Sequence, residues 1–351
     1  MNSMLMSDVR HPLAPDWVQA IVREQYGLVA SVELLPGERD SNYRLEVQST
    51  GECLVLKVSH PAETPLIADF QTQALLHIAR TAPDSIVPRV ILTVQGEASA
   101  LCETATGVKR VVRLFTYLSG KPLPGAARST AQRIHLAQKL AQIDFALSTF
   151  WHPACSLELP WDLQRADSVR SLLVHVKDPA RRAMAEEVLD YFELHTQPAL
   201  AHLRKQPIHN DLNSHNVLVD EHDNDRISGI LDFGDMVYAP LINDLAVACA
   251  YQLRESFDDP AIHPLAEIIP FVSSYHVALI LTEAEVELLF SLILTRLTMI
   301  VAISGWRAEL EPENADYLLR NNGLSWLRLA ACTRLSYAEA TVMLRQACSF
   351  D

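Results

Sequence analysis

The chain has 351 residues, 49% of them hydrophobic and 21% charged, which excludes general disorder and suits two lobes better than one compact core. Its 29 lysines and arginines stand against 43 acids, a net charge of -14, the opposite of what a nucleic-acid binder carries, so neither DNA nor RNA is expected as a partner. Six cysteines at positions 53, 102, 155, 249, 332 and 348 share no short paired spacing and read as reduced, mostly buried thiols, not as a zinc site or a disulfide framework. In the N-terminal segment Asp8 and Arg10 arrive before any apolar core of signal-peptide length, so a cytoplasmic protein is expected.

Taken in chain order, residues 14–28 carry a helical pattern. Tyr43–Val47 and Leu54–Val58 read as strands joined by the turn Ser49-Thr50-Gly51, with Tyr43, Leu45 and Val47 on one face and Arg44 and Glu46 on the other. Ile67, Phe70, Ala74, Leu75 and Ile78 recur at helical spacing, and Pro83 and Pro88 break that helix. Val90–Val94, Ala98–Glu103 and Val108–Phe115 complete a small sheet. After Ser119-Gly120-Lys121-Pro122 the pattern turns helical, beginning with the stripe Leu136, Leu140, Ile143, Leu147 and Phe150. The exception is a pair of short strands, Val217–Val219 and Ile227–Leu231, around the polar turn Asp220–Asp225. Val286–Trp306 is the most apolar stretch, but it holds Glu287 and Arg296 and reads as a buried helix, so no membrane partner is expected. The predicted architecture is α+β and two-lobed. Residues 1–118 form a small antiparallel β lobe with one helix that binds nucleotide. Residues 119–351 form a larger, mostly helical lobe for catalysis and substrate. That is the outline of a protein-kinase-like fold.

The strongest chemical signal is His209-Asn210-Asp211-Leu212-Asn213-Ser214-His215-Asn216, just before a strand. Phosphoryl transfer to a hydroxyl needs a carboxylate to orient the attacking oxygen and take its proton, the role predicted for Asp211. It also needs oxygen ligands for Mg²⁺, and the Asn216 amide oxygen is a hard ligand of that kind. One hairpin later, Asp232-Phe233-Gly234 places a second carboxylate at the end of an apolar strand, where it can bridge metal and triphosphate. Alone, Asp-Phe-Gly is common and an aspartate closing a strand is an ordinary turn residue. In this order, after a strand bearing a lysine, the constellation is specific.

The lysine is Lys57, ending the run Cys53-Leu54-Val55-Leu56; a charge inside a buried strand must be paired or must face a ligand. Read alone it would protect a sheet edge; beside Asp211 and Asp232 it is predicted to hold phosphate. The helix position facing it is Gln71, which cannot form the expected ion pair, and Asp69 lies off that face. A glycine-rich loop is missing too. In its place stands Pro36-Gly37-Glu38-Arg39-Asp40-Ser41-Asn42, a polar turn able to offer backbone N–H groups, the Ser41 and Asn42 side chains and the Arg39 charge to phosphate, or to be no more than a polar turn. His209 and His215 lack zinc-ligand spacing, and His209 is expected to brace the catalytic loop. Trp161, Asp162 and Tyr238 are candidates for lining a substrate pocket, against the plainer reading of core and surface residues.

The pattern His209-x-Asp211-x₄-Asn216 followed by Asp232-Phe233-Gly234 resembles the aminoglycoside phosphotransferase and choline kinase superfamily, which shares the protein-kinase fold. Within it, Gly229–Met236, Arg113–Gly120, Trp161–Leu163 and Glu311–Tyr317 are most similar to the hydroxylysine kinases, and the likeness runs from about residue 30 to about residue 320. The resemblance implies Asp211 as base, Asn216 and Asp232 as Mg²⁺ ligands, Lys57 as phosphate lysine, Thr116 to Leu118 as the hinge backbone at the purine, and Asp244 as a structural aspartate. It also implies that something, a metal or Arg39, compensates for Gln71.

Only nine residues separate Gly234 from Asp244, and no Ala-Pro-Glu follows, so a protein kinase with a peptide platform is not expected. A catalytically inactive nucleotide-binding protein is the non-enzymatic alternative. The expected reaction moves the γ-phosphoryl of ATP or GTP to a hydroxyl of a small amine-bearing molecule. With Asp235 and Asp162 near the chemistry, the best single acceptor is 5-hydroxylysine; aminoglycoside, choline and homoserine are the alternatives.

Overall fold

The computed structural model describes residues 12–37 and 39–350. The N-terminal segment read for a signal peptide, and Glu38 of the polar turn, lie outside the described residues.

The first lobe contains α1 (Pro15–Tyr26), β1 (Ala30–Leu34), β2 (Ser41–Val47), β3 (Cys53–Val58), α2 (Pro65–Thr81), β4 (Val90–Ile91), β5 (Ala100–Glu103) and β6 (Lys109–Thr116). The strands form one antiparallel sheet in the order β1-β2-β3-β6-β4, with β5 also paired to β6. Alternation along β2 and β3 sends Tyr43, Leu45, Leu54, Leu56 and Val58 to one face, where Val18, Ile21 and Val22 of α1 cover them. The predicted helix over 14–28 is thus the cover of the outer face, and it gives the lobe a second helix. It stops at Gly27, whose φ of 67° caps the last turn in the left-handed region open to glycine.

The other face of the sheet looks into the cleft. On it Asn42, Lys57 and Arg113 stand side by side, because β2 sets Asn42 opposite Lys57 and β6 sets Arg113 opposite Lys57. α2 crosses this side. Thr64 caps its start by accepting from Ile67 N, with Pro65 in its first turn. Its apolar stripe, Phe70, Ala74, Leu75 and Ile78, joins the core of the second lobe through Phe115 and Leu140, so the two lobes share packing.

The second lobe holds β7 (Lys121–Pro122), α3 (Thr130–Leu147), α4 (Pro179–Tyr191), α5 (Gln197–Leu200), β8 (Lys205–Ile208), β9 (Val217–Val219), β10 (Ile227–Ile230), β11 (Val237–Pro240), α6 (Ile242–Gln252), α7 (Ile269–Ala278), α8 (Glu283–Leu310), α9 (Ala315–Leu318), α10 (Asn322–Cys332) and α11 (Tyr337–Ala347). Two small sheets, β10-β9-β7 and β11-β8, carry the loops of the site. The expected strand Val90–Val94 shrinks to two residues, and β8 and β11, with a proline in each, escape periodicity altogether.

The apolar stretch read as a buried helix is α8, opened by a reciprocal capping box between Thr282 and Glu285. It is long and apolar enough to cross a membrane, yet 89% of that window is enclosed by the protein, against α4, α6, α10 and α11. A helix that is apolar all round belongs at the centre of a large core.

Candidate active site

β8 delivers the chain to His209 and β9 takes it away after Asn216, so the catalytic loop hangs between two strand ends. Asp244, in the first turn of α6, anchors it: Oδ2 accepts from the His209 N–H at 2.8 Å and Oδ1 from the Asn210 N–H at 2.7 Å. Asn210 sits at φ 65°, a conformation that asparagine tolerates better than most residues. His209 Nε2 reaches Leu231 O at 2.9 Å while Nδ1 meets the Asp211 N–H at 3.2 Å, a pattern for the neutral ring protonated on Nε2. Phe233 packs edge-on against that ring. His209 therefore ties the catalytic loop to the strand leading into Asp232.

Asp211 Oδ2 accepts from Asn213 Nδ2 at 2.7 Å and Asn216 Nδ2 at 2.8 Å, and Oδ1 accepts from Arg296 Nη2 at 3.2 Å. Burial, then the neighbouring Asp235 charge, push its carboxyl well above the ordinary carboxylate range, and Arg296 and the Asn213 bond oppose them. Three donors aimed at two oxygens suit the ionised acid.

Asp232 follows β10 at φ 57°, and its Oδ1 accepts from Lys57 Nζ at 3.2 Å and from the Gly234 N–H at 3.1 Å. The Lys57 charge, acting against burial, holds the Asp232 carboxyl below its usual range. Gly234 is required there, since a Cβ would come within 2.9 Å of Asp232 Oδ1.

The missing helix glutamate has a different solution from the one expected. Lys57 Nζ pairs with Asp40 Oδ2 at 3.3 Å, so the acid comes from the polar turn, and neither Arg39 nor a metal is needed for it. Burial disfavours the Lys57 charge, but Asp232 and Asp40 together hold it above the normal lysine range. Gln71 serves another purpose: Oε1 accepts from Arg113 Nη1 at 2.7 Å and Nε2 donates to Gly234 O at 3.3 Å. Arg113, 1% exposed, also meets Glu63 at 3.4 Å and Ser59 Oγ at 3.0 Å. Gln71 thus links a buried arginine to the Asp-Phe-Gly backbone, a job that a glutamate drawn to Lys57 would abandon.

Arg39 has Nε and Nη2 buried with no hydrogen-bond partner. Ser41, by contrast, is fully buried on the face shared with Tyr43, so its hydroxyl is turned away from the cleft. At the hinge, the Thr116 N–H is taken by Arg89 O and the Tyr117 N–H by Cys53 O, which leaves a purine edge to Leu118.

Beside Asp211 opens a small cavity of about 90 Å³ lined by Asn213, Asp235, Trp161 and Tyr251. One face of α8 completes it through Arg296, Ile300, Ser304 and Arg307, and Arg320 closes it from beyond α9. Arg296 lies 4.9 Å over the Trp161 ring and donates to Trp161 O at 3.1 Å. Of the predicted substrate residues, Trp161 and Asp235 line this cavity. Asp162 does not: it is buried and caps the following 3₁₀ turns by accepting from the Gln164 N–H at 3.0 Å. Tyr238 does not either, because its strand, β11, pairs with β8 and leaves the side chain 39% exposed outside the cavity. The three arginines and Tyr251 were missed. The signal was available for one of them, since an arginine inside the most apolar helix must be paired or functional.

A base-positioned aspartate, an Asp-Phe-Gly carboxylate paired to a strand lysine, and no peptide platform define a small-molecule phosphotransferase of protein-kinase-like fold. The comparisons agree. The profile of the phosphotransferase enzyme family matches residues 31–268, and the chain belongs to that family. It is 27% identical to the hydroxylysine kinase of Mus musculus over 340 residues, 88% of this chain and 86% of that protein. It is 30% identical to the hydroxylysine kinase of Danio rerio over 323 residues, 88% of each. An amicoumacin kinase solved with AMP-PNP and Ca²⁺ superposes with a TM-score of 0.67 at 14% identity, over 93% of this chain and 97% of that one.

Proposed function

We propose that the chain transfers the γ-phosphoryl group of ATP or GTP to the hydroxyl of a hydroxylated amino acid, with 5-hydroxylysine as acceptor. The observation that carries the reading is Asp211, fixed by three donors at the mouth of a cavity that Asp235 and Trp161 also line. The similarity to vertebrate hydroxylysine kinases over most of both chains supports the choice of acceptor.

Lys57 and Arg39 would hold the triphosphate, and Arg39 is suited to it because its buried Nε and Nη2 need acceptors that phosphate oxygens provide. Asn42, opposite Lys57, adds an amide on the same side of the sheet. Leu118, with the Thr116 carbonyl, would face the purine. The residues present fit Mg²⁺: Asn216 turns its NH₂ to Asp211, which leaves its oxygen as a ligand, and Asp232 contributes a carboxylate. Two protein oxygens shared with phosphates are the usual holding for this ion, whose charge would balance that of the transferring group.

Asp211 orients the acceptor hydroxyl and takes its proton as the oxygen–phosphorus bond forms. The bond from γ-phosphorus to the bridging oxygen breaks, and the nucleoside diphosphate leaves. Asp235 faces the acceptor ammonium. The test is kcat/KM for hydroxylysine, homoserine, choline and kanamycin with each nucleotide. Hydroxylysine should lead by at least about tenfold, roughly 1.4 kcal/mol of transition-state binding. A smaller lead sinks the acceptor assignment.

A further inference from the structure

The acceptor cavity carries three guanidiniums, those of Arg296, Arg307 and Arg320, against the two carboxylates of Asp211 and Asp235. In a protein of net charge -14 this local excess of positive charge is no consequence of composition. Arg296 is accounted for by Asp211 and Trp161. The other two stand farther from the base, Arg307 about three turns along α8 from Arg296 and Arg320 beyond α9.

A guanidinium as buried as Arg307, 6% exposed, needs an anion. Its carboxylate neighbour Glu311 keeps Oε1 at 3.7 Å, beyond the 2.7–2.9 Å of a charge-assisted hydrogen bond, and that oxygen is buried with no hydrogen-bond partner. Arg320 lies flat on the Tyr317 ring at 3.8 Å and gives Nη1 to Tyr317 O at 3.1 Å, which fixes the guanidinium plane at the cavity wall. Neither Lys57 nor Asp232 lines this cavity, so these cations do not belong to the nucleotide end of the site.

We propose that Arg307 and Arg320 bind the carboxylate of the acceptor and so restrict the enzyme to hydroxylated amino acids over amino alcohols of the same length. The inference rests on the proposed kinase reading and adds to it what selects the substrate. The cavity is then polarised: Asp235 takes the ammonium near the base, and the arginines take the carboxylate at the far end. A purely cationic acceptor would meet the arginines unpaired and be repelled.

Two matched pairs of acceptors test this: 5-hydroxylysine with 1,5-diaminopentan-2-ol, and homoserine with 3-aminopropan-1-ol, each differing only by the carboxylate. The wild-type enzyme should favour the amino acid of the better pair by at least about 100-fold in kcat/KM. Arg320→Gln and Arg307→Gln should each shrink that ratio by about tenfold or more, with nucleotide KM unchanged. Arg320 is exposed, so its variant reads the effect without disturbing the core. A wild-type ratio near one, or variants that lower both members equally, overturns the carboxylate site and leaves the kinase reading standing. A preference for homoserine over hydroxylysine, with the ratio intact, removes only the hydroxylysine assignment. No turnover of any of the four removes the proposed function and this inference with it.

Discussion

Arg296 Nη2 donates to Asp211 Oδ1 at 3.2 Å from the middle of the most buried helix in the second lobe. The same guanidinium holds Trp161 by its carbonyl and by its ring, and hydrogen-bonds the Tyr251 hydroxyl. One side chain therefore sets the base, the cavity wall and part of the counter-charge. Arg296→Met should lower kcat at least about 100-fold while leaving nucleotide affinity near wild type, because it touches no phosphate-binding residue. The melting temperature should fall as well, since breaking a buried pair commonly costs about 3–5 kcal/mol. A kcat within threefold of wild type would show that Asp211 needs no such support.

Asp211→Asn removes the proton acceptor but keeps the side chain's size. Turnover should drop by roughly 10²–10⁴, the usual contribution of a general base, with nucleotide binding intact. More than about a tenth of wild-type turnover would exclude Asp211 as the base.

Asp232→Ala acts at a different step. It removes the carboxylate shared by Lys57 and the Gly234 N–H, together with the proposed metal ligand. Affinity for Mg²⁺-nucleotide should fall along with turnover, and calorimetric titration reads it directly. An unchanged dissociation constant would refute the ligand role.

Asp40→Asn isolates the charge that replaces the helix glutamate. The amide oxygen can still accept from the His60 N–H, now bonded to Asp40 Oδ1 at 2.8 Å, so the turn should survive. Lys57 loses one of its two acids, and nucleotide KM should rise roughly tenfold, the scale of one charge-assisted hydrogen bond. Steady-state kinetics at saturating acceptor decide it; a KM within twofold of wild type means that Asp232 alone holds the lysine.

Beneath the catalytic loop, Asp144 of α3 accepts from the Tyr275 hydroxyl at 2.5 Å and lies against Asp244. Burial first, then the Asp244 charge, push the Asp144 carboxyl well above its ordinary 3.8. The folded protein therefore holds this proton more tightly than the unfolded chain does. The associated stability is complete below the unfolded value and is lost as pH rises through the folded one. Asp144→Asn abolishes that titration, so its stability should decline less than wild type as pH is raised above about 4. Urea unfolding across pH 4 to 8 provides the check, and parallel curves would clear Asp144 as the source.

The linear order of residues was enough to place the chemistry of the nucleotide end. Asp211, Asn216 and Asp232 lie within one short stretch, and the loop and hairpin that present them are set by local strand and turn preferences. Lys57 was legible because a charge in an apolar strand has few explanations. The predicted β-lobe strands and the buried character of α8 followed from side-chain periodicity, which a sequence displays directly.

What periodicity cannot display is which distant side chains meet. Asp40 was read as one residue of a polar turn, yet sheet register brings that turn beside Lys57 and makes it the missing acid. Ser41, one residue later, falls on the opposite face of the same strand, because successive side chains alternate. Asp162 looked like a substrate acid and is a helix cap, a difference decided by where its backbone turns. The cavity arginines come from one face of α8 and from the chain beyond α9, remote in sequence from Asp211. Only the packing of α8 through the centre of the lobe places them opposite the base, so the choice of acceptor lies in tertiary contacts that no local pattern encodes.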